Sequence, residues 1–181
     1  MQKILLSVIE KLKKNPHINK QTIKKIEIRI NSNPLLVKSE NVKSHFCSFF
    51  VPINKKTKSI YLVHHIKAQD WIPPGGHIEK NEHPTATVKR EFEEELSHKL
   101  TDEVIELFDA TIKDISTNPR NPCEIHYDLW HLVYVNKLPF KFDRGEFYDA
   151  GWFSFEDALN KIRTKLYKKT VLNLFKIVNN E

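Results

Sequence analysis

The chain has 181 residues, 40% of them hydrophobic, with 29 Lys and Arg against 23 Asp and Glu and only two cysteines. That length suits one domain with room for an appendage, and the apolar share can fill its core. Two cysteines exclude a disulfide framework, and no apolar run is long enough for a membrane span or a signal-peptide core, since Glu10 interrupts Ile4–Ile9.

In chain order, residues 2–14 predict a helix with Ile4, Leu5, Val8, Ile9 and Leu12 on one side, and Asn15-Pro16 breaks it. Residues 19–31 predict a second helix carrying Ile23, Ile26 and Ile30. These two form a helical N-terminal extension over residues 1–40, ahead of the main domain over 41–181. His45–Ile53 and Ser59–His65 read as a strand pair joined by the loop Asn54–Lys58. Trp71-Ile72-Pro73-Pro74-Gly75-Gly76-His77 reads as a rigid approach to a tight glycine loop. Pro84 suits the first position of the helix that follows. Glu103–Lys113 and Glu124–Val135 predict strands joined through Ser116–Pro122, and Gly151–Phe153 is a short strand. A helix over Phe155–Leu166, capped by Ser154, and a helical stretch over Lys169–Val178 end the chain. Strands around one helix, with a second helix late, predict an α+β fold, an α/β/α sandwich.

Charge is unevenly placed. Residues 1–44 carry ten Lys and Arg against three acids (+7) and residues 155–181 six against three (+3), so the formal +6 leaves the middle near −4. The basic ends lack the interleaved aromatics of a single-strand binding groove, and they read as lysine-rich solvated surface, with nucleic acid not the expected partner.

The middle holds the chemistry. Four glutamates fall in the five positions 91–95, and Glu91 lies one helical turn from Glu94 and Glu95. Like charges three or four residues apart cost about 0.2–0.5 kcal/mol per pair, and a cation relieves them. Val88, Phe92 and Leu96 form the apolar row, about a quarter-turn away, so the carboxylates sit at the edge of the buried face. Hard oxygen donors suit Mg²⁺ or Mn²⁺. A glycine loop such as Gly75-Gly76 leaves backbone N–H groups free for a phosphate.

The spacing Gly76, five residues, Glu82, seven residues, Arg90-Glu91-Phe92, one residue, Glu94-Glu95 resembles the signature of the Nudix hydrolases. Ser97 stands where that family has glycine and His98 where it has an apolar residue, which touches the turn ending the helix and leaves the acidic positions intact. The flank Val63-His64-His65 and Trp71 to Glu79 looks like a bacterial subgroup of the family, and the resemblance runs from about residue 45 to 160. It implies a central mixed sheet between helices and hydrolysis of a nucleoside diphosphate linked to another group. Mg²⁺ or Mn²⁺ would sit on Glu91, Glu94 and Glu95, and Arg90 would orient a glutamate through a two-pronged hydrogen bond. Glu82 would bind a further metal or support the loop. Gly75, Gly76 and His77 would position substrate, and Glu91, Glu124, Asp128 and Glu146 are the candidate general bases, with Glu146 placed in the catalytic set.

His126, Asp128 and Trp130 share one strand face by two-residue alternation. They read as pocket lining, with Trp130 stacking on a base, or equally as the outer side of an edge strand. His45-Phe46-Cys47 and Cys123-Glu124-Ile125-His126 supply two Cys and two His, but their spacing matches no zinc template, and two unrelated thiols are the expectation. A non-catalytic nucleotide-binding or regulatory module of the same fold, and an isoprenyl diphosphate isomerase, are the alternatives. The expected protein is cytoplasmic, acts on a nucleotide-type small molecule and has no membrane partner, with its oligomeric state open, homodimer included.

Overall fold

Asn19 starts the second helix by accepting hydrogen bonds at Oδ1 from the backbone N–H of Gln21 (3.0 Å) and Thr22 (3.1 Å). The computed structural model describes residues 1–116, 122–136 and 139–179. Its elements run α1 (Gln2–Leu12), α2 (Lys20–Ser32), β1 (Ser44–Asn54), β2 (Ser59–His65), β3 (Asp70–Ile72), β4 (Gly75–His77), α3 (Pro84–Leu96), β5 (Ile105–Asp114), β6 (Ile125–Tyr134), β7 (Phe147–Ser154), α4 (Phe155–Lys161) and α5 (Lys165–Asn179). Among the described residues, seven strands form a sheet of order β3-β2-β1-β6-β5, with β4 paired to β1 and β7 to β2. The fold class is the expected α+β. Most of the predicted link Ser116–Pro122 lies outside the described residues.

The chain divides into two compact units. One comprises Met1–Phe49, Gly75–Val88 and Leu107–His131. Its core gathers Leu5, Val8, Ile9 and Leu12 of α1 and Ile23, Ile26 and Ile30 of α2 with Phe46, Ile78, Tyr127 and Leu129. The two N-terminal helices thus share one apolar cluster with sheet residues beyond position 40. Burying each of these side chains contributes about 1.5–3 kcal/mol. Tyr127 and Leu129 face this cluster, so alternation puts His126, Asp128 and Trp130 on the opposite face of β6. From Phe46 to Asn54 β1 is buried without interruption, the pattern of a strand covered on both sides.

The predicted glycine loop is a short strand. Gly75-Gly76-His77 pairs antiparallel with β1, matching Phe49, Ser48 and Cys47 in turn. Gly75 has φ +146°, and a Cβ there would lie 2.5 Å from the Ser48 carbonyl oxygen and 2.6 Å from Phe49 Cα. Only glycine fits so close a backbone approach.

The second unit comprises Phe50–Pro74, Lys89–Glu106 and Leu132–Glu181. In it β2 pairs with β1 at Ile53↔Ile60, with β3, and with β7 from Ser59↔Ser154 onward. The late strand is therefore eight residues, not the predicted three. The predicted Phe155–Leu166 helix stops at Lys161. The buried Asp70 carboxylate accepts from Arg163 N (2.9 Å), Thr164 N (2.8 Å) and Thr164 Oγ1 (2.7 Å), which ends one helix and caps the start of α5. A partner 93 residues away is invisible to local periodicity.

Candidate active site

Helix α3 begins at Pro84 and presents the predicted apolar row, with Val88, Phe92 and Leu96 fully buried. Ser97 follows with φ +49°, the left-handed conformation that closes helices and favours glycine. The serine therefore does the backbone work of the signature glycine at a cost of about 1 kcal/mol.

The acidic side chains leave the helix at different depths. Glu95 is 5% exposed, while the Glu91 and Glu94 side chains are 13% and 59% exposed. Arg90 Nη1 donates to Glu91 Oε1 at 2.7 Å and to Glu94 Oε2 at 3.1 Å. One arginine nitrogen is thus shared by two carboxylates. Burial lifts the Glu91 carboxyl above the usual carboxylate range, Arg90 opposes this, and Glu94 and Glu146 add to it. Glu146 is thus within electrostatic reach of Glu91. Its loop is fastened to the helix, since Asp143 N donates to the Glu95 carbonyl at 2.9 Å.

Among the described residues, the groups of three or more whose ligand atoms lie within 4.8 Å of one another are His45, His77, Cys123 and His126, and Cys47, His126 and Asp128. The glutamate trio is not such a group. Arg90 pairs with two of the three, Glu91 and Glu94. The donor set still fits a hard divalent ion: three carboxylates on neighbouring turns, two of them already oriented and one partly desolvated.

The remaining predicted residues take other places. Glu82 Oε2 accepts from Glu79 N (3.0 Å) and Thr87 Oγ1 (2.8 Å), so it braces the turn ahead of α3, the second of its two expected roles. Gly75 and Gly76 are strand residues packed on β1. His77 and His126 stand against His45, with ring centroids 4.9 and 5.0 Å away. Burial pushes the His126 imidazole down to about 3 and the Asp128 carboxyl up to about 7. Asp128 is fully buried, and Thr111 Oγ1 donates to its Oδ2 at 3.4 Å. Trp130 is fully buried too, stacked on Phe49 at 4.8 Å with Nε1 donating to Thr111 at 2.9 Å. Its ring packs the interior, where a stacking base has no access. Glu124, a candidate base, is paired with Lys43 at 2.7 Å. Sequence reasoning did not place His45 and Cys123 in a site; the signal was their occurrence in two short Cys/His pairs.

The NUDIX domain family model matches residues 45–175. A search among curated proteins finds no match. Solved structures with a similar fold include the E. coli dihydroneopterin triphosphate pyrophosphohydrolase, at 14% identity and TM-score 0.65, covering 75% of this chain and 96% of that one. A C. elegans Ap4A hydrolase binary complex matches at 15% identity and TM-score 0.65, covering 75% and 98%. A NUDIX-family hydrolase from Clostridium perfringens matches at 22% identity and TM-score 0.56, covering 74% and 97%. With the family model spanning most of the chain and the acidic signature standing on a helix that ends as the signature requires, this chain belongs to the NUDIX family and is a Nudix-type hydrolase.

Proposed function

We propose that the chain hydrolyses the diphosphate linkage of a nucleoside diphosphate joined to another group, with Mg²⁺ or Mn²⁺ held by Glu91, Glu94 and Glu95. The observation that carries this is Arg90 Nη1 bridging Glu91 and Glu94 beside the buried Glu95. The arginine orients two carboxylates in advance, which lowers the ordering cost when a cation and a phosphate chain arrive. When bound, the ion supplies positive charge against the phosphate oxygens and activates water. The chain's own part is to hold that charge in place and to take up the proton that water loses. Glu91 and Glu146 are the residues we assign to that role, since the two lie within electrostatic reach of each other and burial holds the Glu91 carboxyl above the usual carboxylate range against the pull of Arg90. Glu124 and Asp128 do not serve it, being paired with Lys43 and fully buried respectively. The setting is cytoplasmic, in keeping with two cysteines outside any disulfide. Among the described residues no helix is long and apolar enough to cross a membrane.

The test is a panel of nucleotide sugars, ADP-ribose, dinucleoside polyphosphates and oxidised nucleotides, incubated with Mg²⁺, Mn²⁺ or EDTA and read by product mass. One class should give two phosphate-bearing products, only with the divalent ion. Nucleotide binding with no turnover of any compound would establish a binding module instead.

A further inference from the structure

We propose that His45, His77, Cys123 and His126 form a four-ligand site for a zinc-class transition-metal ion, separate in donor chemistry from the acidic face of α3. One ligand atom from each of the four residues lies within 4.8 Å of all the others. Cys123 Sγ and His77 Nε2 are 3.9 Å apart. Zinc–sulfur and zinc–nitrogen bonds of about 2.3 and 2.1 Å, set tetrahedrally, put those atoms about 3.6 Å apart, so small side-chain movements complete the site.

A second observation points to a ligand. His45 and His126 are 0% and 8% exposed, and the Nε2 atom of each is buried with no hydrogen-bond partner. At His45, Nδ1 lies 2.8 Å from the Asn41 carbonyl oxygen. A carbonyl only accepts, so Nδ1 carries the proton and the Nε2 lone pair is left for a metal, the usual support for a ligating histidine. An orphaned buried polar atom destabilises the fold, and this cluster holds two. A metal ion satisfies both.

Imidazole and thiolate favour zinc over magnesium or manganese, and four protein ligands leave no open position, which marks a structural site. On binding, the Cys123 thiol gives up its proton to solvent and the thiolate ligates. The ion would fasten β1 through His45, β4 through His77 and the start of β6 through Cys123 and His126. It therefore locks Gly75-Gly76-His77, the segment leading into the Glu82 turn. The Cys47 thiol and the Asp128 carboxylate approach His126 in the second group, and they are the competing ligands.

The experiment uses the full chain purified without chelator, with elemental analysis, then chelation and titration with Co²⁺. About one zinc per chain is expected, and cobalt should show the intense visible bands of a tetrahedral ion with a thiolate charge-transfer band. Cys123→Ser should lose the charge-transfer band and weaken affinity about 100-fold or more, while Cys47→Ser and Glu94→Gln keep both. If Cys123→Ser does not fold, His77→Gln at the partly exposed ligand supplies the same reading through affinity. Neither zinc nor cobalt uptake, or loss of the band in Cys47→Ser with retention in Cys123→Ser, overturns the assignment. Metal content is independent of turnover, so the assignment stands or falls apart from the hydrolase reading.

Discussion

The acidic end of α3 and the imidazole–thiol cluster use opposite kinds of donor and are built in opposite ways. The first comes from six consecutive residues on one helix, stays partly solvated and is organised by an arginine. The second draws on residues as distant as His45 and His126, is largely buried, and contains two ring nitrogens without a protein partner. The difference shows how a charged site and a neutral one are held. Carboxylates three or four apart repel, so they need a cation and remain near water. Neutral imidazoles tolerate burial, so β-strand pairing can bring them together inside the fold.

The comparison breaks first at Glu95. Glu95→Gln removes one buried charge without changing shape, and turnover should fall by about two orders of magnitude or more while the thermal midpoint holds. Near-normal turnover in steady-state kinetics would take Glu95 out of the ligand set.

A second break lies on the strand carrying His77. Gly75→Ala should destabilise the fold by about 2 kcal/mol, because its Cβ meets backbone at 2.5 and 2.6 Å, and urea melts measure the loss. An unchanged midpoint would mean that β4 is not held against β1.

Burial sharpens the contrast in pH response. His131 in one unit and His65 in the other are both pushed down to about 4 by burial. In the unfolded chain each titrates near 6.5, so between about pH 6.5 and 4 the unfolded state binds protons that the folded state refuses. Stability is complete above this window and falls on acidification through it, by up to about 1.4 kcal/mol per pH unit for each histidine. His131→Gln should flatten the slope in urea unfolding at stepped pH, and an identical slope would exclude His131 as its source.

The smallest effect belongs to the end of α3. Ser97→Gly should stabilise by about 0.5–1 kcal/mol with turnover unchanged, since glycine adopts φ +49° without strain. A lower melting temperature would show that the serine side chain matters there.

Local pattern was enough for the helices, the main strands and the acidic signature. Leu5, Val8 and Leu12, or Val88, Phe92 and Leu96, declare a buried stripe through periodicity alone, and the spacing from Gly76 to Glu95 carries its chemistry in one stretch of chain. Where the outcome depended on partners far along the chain, the tertiary structure decided. Asp70 ends α4 and caps α5, β1 turns a glycine loop into a strand, Phe49 and Thr111 occupy Trp130, and His45 with Cys123 makes His77 and His126 a cluster. The physical reason is range: helical repeats act over three or four residues, whereas sheet pairing and burial join atoms whose separation in sequence carries no signal.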